Sequence, residues 1–329
     1  QPEGRRPGLR STGESFRLTA GICDHAPPAR PGRPLFHISA ESRMHPVHQA
    51  FSIGLSPLEL AEGIEIDDKL DAYLQEKDRL RAAFAQKVFV EEPETRAAQR
   101  EVLNALATHL LHHFPRLYVR ERSGITIGGS RHVDLASDDP PLLQAACLVQ
   151  EDLVIMRHSP EGWRLVAASL SFPSSWSLLE KFGKPLAEIH APVPGFGPGS
   201  RNAGLINRIF DNLKVEQPVK RLNWSIYAND ELYQPDRSAE HGSDNSDDFA
   251  GHFIRIERQT LRKMPVSGDI LFTIRIHLDP LSALKSNPEA IGPFIEQLRE
   301  LDEAELGYKG MTEQRDGLIE ALQSVLSDQ

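Results

Sequence analysis

The sequence predicts an α+β chain: a five-stranded antiparallel sheet carrying short helices over a cavity, with longer helices at either end. Three observations carry that prediction. Apolar residues recur with a helical period from residue 55 to 113 and again after Pro280. Between residues 147 and 278 the pattern shortens to strand-like runs. After the second of those runs a group of short helical segments interrupts the strands. The chain has 329 residues, 40% of them hydrophobic, which is enough for one large core or two smaller ones.

Taken in order, residues 1–50 read as a disordered basic leader. Its first 34 positions hold six arginines against three acids, with six prolines and no apolar period. Arg5-Arg6 is not followed by the apolar stretch of about 7–15 residues that a secretory signal requires. A helical region, 51–140, comes next. Ser56-Pro57-Leu58-Glu59 has the signature of a helix start, with a cap, a first-turn proline and an acid. Leu70, Tyr73, Leu74, Leu80 and Phe84 make the apolar stripe of a helix over 68–84. Val102, Leu103, Leu106 and Leu110 do the same over 94–113. Residues 122–139 have turn composition and read as a loop with room for a short hairpin.

The sheet region is 141–280. Runs at 147–158 and 163–172 flank Ser159-Pro160-Glu161-Gly162, a hairpin turn. Short helices are expected at 176–182, around 186–190 and at 202–213, followed by strands at 219–227, 252–261 and 269–278. Residues 228–251 carry seven acids and one arginine and read as a mobile acidic loop. Helices at 288–301 and 312–326 complete the C-terminal region, 281–329. Two strands, a run of short helices and three further strands is the element order of a PAS domain, whose helices close over a ligand cavity.

Composition excludes several functions. A formal charge of −10 argues against general nucleic-acid binding, and no apolar run reaches the roughly 18–20 residues of a membrane span. Two cysteines, Cys23 and Cys147, cannot ligate an iron–sulfur cluster, and they suit a reducing, cytoplasmic setting. Gly195-Phe196-Gly197-Pro198-Gly199 lacks dinucleotide-loop spacing. His109 and His113 are four apart, but no acid accompanies them.

The sharpest local phrase is Leu186-Ala187-Glu188-Ile189-His190-Ala191-Pro192-Val193-Pro194. His190 ends a short turn in apolar surroundings, where a neutral imidazole suits an axial iron ligand; a histidine capping its own turn is the other reading. Arg221, Arg255, Arg258, Arg262 and Arg275 form a cationic set on the late strands. Arg258 alternates with Ile254 and Ile256, so it is expected on an apolar face, answered by haem propionates or by an internal salt bridge. Arg221 and Asn223 share a face from which they could polarise bound oxygen, or bond within the sheet surface.

These phrases resemble one family, the α subunit of haem-dependent oxidative N-demethylases. The resemblance spans roughly 51–326 and rests on GLSPLEL…IEIDD (54–68), LVQEDLVIM (148–156), WRLVAASLSFPSSWSLLEKFGKPLAEIHAPVPG (163–195), RLNWSIY (221–227), IRIERQTLRKMP (254–265), LFTIRIHLDPL (271–281) and YKGM…RDGLIEAL (308–322). Gly63 and the length of the acidic loop depart from the family pattern. The resemblance implies a PAS-fold protein that binds haem b and uses O₂ to convert a small, dimethylamine-like secondary amine to formaldehyde and a primary amine. The expected site is His190 on the iron, Arg258, Arg262 and Trp224 against the cofactor, and Arg221, Asn223 and Glu257 at the reaction. NADPH, FMN, a 2Fe–2S centre and tetrahydrofolate are implied only on partner reductase and folate-binding subunits. The alternatives are a haem-PAS gas sensor without catalysis and a haem-free scaffold.

Overall fold

The structure, a computed structural model, describes residues 54–236 and 251–327. The leader and most of the acidic loop lie outside the described residues. In chain order, β1 (Ser56–Pro57) precedes helix α1 (Leu70–Val88), β2 (Phe89–Glu91) and helix α2 (Arg96–His113). A small sheet of β3 (Tyr118–Arg120), β4 (Gly124–Ile127) and β5 (Arg131–Asp134) leads into α3 (Pro141–Ala146). Strands β6 (Asp152–Ser159) and β7 (Gly162–Ser169) are followed by α4 (Leu178–Lys181), α5 (Leu186–Ile189) and α6 (Arg201–Asn212). Then come β8 (Val219–Tyr227), β9 (Phe253–Lys263), β10 (Ile270–Pro280), α7 (Ile291–Glu300), α8 (Glu303–Lys309) and α9 (Arg315–Ser327). Among the described residues no helix is long and apolar enough to cross a membrane.

The main sheet is antiparallel throughout, with strand order β1-β8-β9-β10-β6-β7-β2. It therefore has seven strands where five were expected. The five expected strands are its contiguous centre, and two short N-terminal strands extend the edges. Ser56-Pro57 is one of them: Ser56 pairs with Lys220, and the Leu58 amide donates to the Pro218 carbonyl at 2.9 Å. A cap signature is local, and here pairing with a distant strand overrides it. Pro57 is tolerated because β1 is an edge. The helical turn begins only at Leu60.

Other elements follow from local chemistry. Ser159 pairs with Gly162 across Pro160-Glu161, and Gly162 takes φ 103°, a conformation that favours glycine in so tight a hairpin. Ser200 caps α6 by accepting from the Ala203 amide at 3.1 Å. Asp302 and Glu305 form a reciprocal capping box on α8, which ends at Gly310 with φ 64°. Residues 124–134 form β4 and β5, the short hairpin for which the turn-rich segment 122–139 had room. One expectation is corrected. The apolar run 142–149 opens with α3, so the strand begins at Asp152 instead of Cys147.

Three apolar cores result. One joins α1, α2, α3 and the small sheet, around Leu103, Leu110, Ile125 and Leu142. The second lies between one face of the main sheet and α4–α6, around Leu165, Leu186, Phe196 and Phe210. The third lies on the other face, where Trp224, Ile254 and Ile256 meet the C-terminal helices through Phe294, Leu298 and Leu318. The two faces of β8 and β9 therefore do different things.

Candidate functional site

The second core is incomplete. Between the sheet and α4–α6 it leaves a cavity of about 230 Å³. Alternate residues of β8 and β9 form its sheet wall: Arg221, Asn223 and Ser225 from one strand, Glu257, Gln259 and Leu261 from the next. Phe272 and Ile274 of β10 continue it. The opposite wall is Leu186, Ile189, His190, Val193, Phe196 and Phe210. Tyr308 and Lys309 reach it from α8.

His190 is the C-cap of α5, and its backbone amide donates to the Leu186 carbonyl. Its ring contacts the same carbonyl, with Nδ1 at 2.9 Å. The carbonyl can only accept, so Nδ1 carries the proton and Nε2 keeps its lone pair. Nε2 has no hydrogen-bond partner among the described residues. Burial lowers the pKa to about 4; the Leu186 bond opposes that shift, while the nearby charges of Lys181 and Arg221 reinforce it. The imidazole is therefore neutral at pH 7. The capping reading holds, and the same bond fixes the tautomer that leaves Nε2 its lone pair.

On the sheet wall, Oε2 of Glu257 accepts from Gln259 Nε2 at 2.7 Å and, at the long limit, from Asn223 Nδ2 at 3.4 Å. Oε1 makes no hydrogen bond among the described residues. Arg221 lies diagonally across from Glu257, since Asn223 pairs with Glu257 and Arg221 with Gln259. Burial lowers its pKa, opposed by Glu257 and Tyr308.

The structure thus brings His190, Arg221, Asn223 and Glu257 to one cavity. Arg258, Arg262 and Trp224 are not brought there. Arg258 Nε lies 2.9 Å from Glu65 Oε1, realising the internal salt bridge. Arg262 lies toward α2, where Glu101 draws on its charge. Trp224 donates to Gln297 Oε1 at 2.9 Å and packs edge-on against Phe294. The cause is the third core: Ile254 and Ile256 mark an apolar face, but the C-terminal helices cover it. The other two late-strand arginines are also bonded within the protein. Arg255 donates to Ser174 Oγ and to the carbonyls of Phe172, Pro173, Glu231 and Leu232, and Arg275 pairs with Asp67 at 2.8 Å. His277 points away from the cavity and meets Glu65 at 3.0 Å.

Sequence reasoning missed Gln259 and Tyr308. Alternation from Glu257 would have found Gln259, two positions on along the same face. Nothing near Tyr308 signals its place. The His109 and His113 rings are 4.5 Å apart, yet no group of three or more His, Cys, Asp or Glu among the described residues is placed to hold a metal ion.

A cavity with an apolar helix wall and one neutral, singly committed histidine suits an iron-porphyrin, as the resemblance implies. The family model described as haem-dependent oxidative N-demethylase, alpha subunit-like, matches residues 54–319, well over half the chain. The chain therefore belongs to the haem-dependent oxidative N-demethylase α-subunit-like family.

Proposed function

We propose that this chain binds one haem b in the cavity through His190 and catalyses the oxidative demethylation of a small secondary amine. The observation that carries the reading is the His190 ring: Nδ1 is committed to the Leu186 carbonyl, leaving Nε2 neutral and open. The five central strands, with helices between their second and third members, support the PAS-like description of the domain. The bound haem would supply O₂ activation and electron acceptance from the amine, giving formaldehyde and a primary amine.

The chain's own residues do the rest. His190 holds the cofactor, and its cap bond orients the ring. The apolar walls of Phe196, Phe210, Phe272 and Ile274 exclude water and favour a substrate of few atoms. Glu257, steadied through Oε2, presents Oε1 to a protonated amine. Asn223 and Gln259 orient that carboxylate.

Electrons are expected from partner subunits carrying NADPH, FMN and 2Fe–2S sites, with a folate-binding subunit to receive the one-carbon product. NADPH added to this chain alone should therefore give no turnover. The test of the haem reading is a visible spectrum. Haemin-loaded protein should show a Soret band, and acid–acetone should extract the pigment because no C-x-x-C-H attachment motif exists. His190→Ala should lose the band, while His158→Ala and His277→Ala, neither of which lines the cavity, should keep it. A wild-type spectrum in His190→Ala would overturn the assignment. Oxygen uptake and formaldehyde release with dimethylamine and a chemical reductant separate the enzyme from a gas-sensing module.

A further inference from the structure

The cavity holds one more uncommitted group. Arg221 makes no hydrogen bond and no ion pair among the described residues, and its Nε is sealed from solvent. A carboxylate is close: Glu257 stands on the diagonal of the same two strands, within reach of a long side chain. Yet the two do not close to ion-pair distance, and Glu257 turns its Oε2 to Asn223 and Gln259. A guanidinium left unmatched in a cavity wall is costly.

The other arginines of the late strands show what this chain does with such groups otherwise. Arg258 and Arg275 each have a carboxylate, and Arg255 is surrounded by carbonyl oxygens. Arg262 also has a bare Nε, but it does not line the cavity and has the charge of Glu101 nearby.

We infer that Arg221 is a carboxylate anchor: its guanidinium binds a carboxylate brought into the cavity by a ligand. The guanidinium fork matches a carboxylate's two oxygens, a geometry neither an amine nor a neutral gas offers. Two ligands bring that chemistry. One is the propionate of the haem, and to that extent the inference rests on the proposed function. The other is a substrate that carries a carboxylate beside its N-methyl group, with Glu257 receiving the ammonium end.

The experiment titrates the full-length apo chain with haemin and with haemin dimethyl ester, followed at the Soret band, for wild type, Arg221→Leu and Arg221→Lys. If the anchor takes a propionate, wild type binds the ester about ten- to a hundredfold more weakly than the free acid, the value of a charge-assisted bond. That discrimination disappears in Arg221→Leu and is partly kept in Arg221→Lys. The ester comparison in wild type needs no substitution, so it stands even if a variant folds poorly. If wild type binds acid and ester equally, N-methylglycine is added to the haem-loaded protein. A Soret shift in wild type that is absent in Arg221→Leu assigns the anchor to the substrate. Equal binding of acid and ester together with no N-methylglycine response overturns the inference and leaves haem binding intact. Failure of wild type to take up haem overturns the proposed function instead. Calorimetry of N-methylglycine against the apo chain then decides the anchor: binding lost in Arg221→Leu upholds it, and no binding overturns it.

Discussion

The two faces of one sheet treat several of the same residue types differently. On the face toward the N-terminal segment, Arg258 and His277 share Glu65, Arg275 takes Asp67, and Thr260 bonds Thr273 at 2.7 Å. On the cavity face Arg221 makes no hydrogen bond or ion pair among the described residues, Glu257 uses one oxygen, and His190 opposite uses one nitrogen. Burial is therefore a poor guide to role here, and the presence of a charged partner a better one. Arg258 Nη1 and Arg275 Nε are bare as well, but each of those guanidinium groups has its carboxylate, which Arg221 lacks among the described residues.

The largest effect that tests this contrast is expected on the paired face. Asp67→Asn strands the fully buried Arg275, and should cost about 3–5 kcal/mol in urea unfolding while leaving the Soret position of loaded protein unchanged. A loss below 1 kcal/mol would show that the pair is dispensable. The cavity face should respond with the opposite sign. Arg221→Leu removes a half-buried charge whose Nε is sealed and unbonded, so the apo chain should become more stable by about 1–3 kcal/mol. Destabilisation would mean the guanidinium holds the fold after all.

Acid provides a third comparison. The folded state keeps His190 neutral, with its pKa lowered from 6.5 to about 4 by burial. The unfolded chain takes up the proton first, so stability is full above about pH 6.5 and falls as pH drops toward 4. Between pH 7 and 5 this one group should cost the apo chain about 2 kcal/mol. His109 is lowered to about 4 as well, chiefly by burial, and adds a loss of the same sign. His190→Gln should remove its share of the slope and leave that of His109, and an unchanged slope would refute the assignment. The smallest effect belongs to solvent. Glu296 and Arg299 pair at 2.7 Å on an exposed face of α7, and Glu296→Gln should change stability by less than about 0.5 kcal/mol.

Much of this was legible beforehand, for reasons that can be traced. Residues 219–227 read as a strand with the observed limits, because Val219, Trp224, Ile226 and Tyr227 give the run β-branched and aromatic character and no Gly or Pro breaks it. His190 was found because the turn before it and the prolines after it are local signals. Arg221 and Asn223 were placed together by alternation alone. Alternation does not say which face bears the cavity, however. Ile254 and Ile256 drew attention to the face that α7 to α9 cover, and Arg258 and Arg262 went with it. The edge strand at Ser56-Pro57 was hidden for a similar reason, since its partner Val219-Lys220 lies far along the chain. α3 escaped because a run apolar on every side has no period to read.

The walls of the cavity also set an order of events. Leu55 and Tyr308, near opposite ends of the family match, both face it, and the sheet wall between them needs β8 beside β9. Contacts so distant in sequence form late, after the local hairpins and helices. A growing chain therefore has no finished pocket to offer until α8 has been made, and whatever occupies the pocket must arrive after most of the protein has folded. A ligand entering last cannot guide the fold; it can only lock it. Loss of the C-terminal helices would open the pocket at the Tyr308 wall while leaving the β6–β7 hairpin and its neighbours their own contacts.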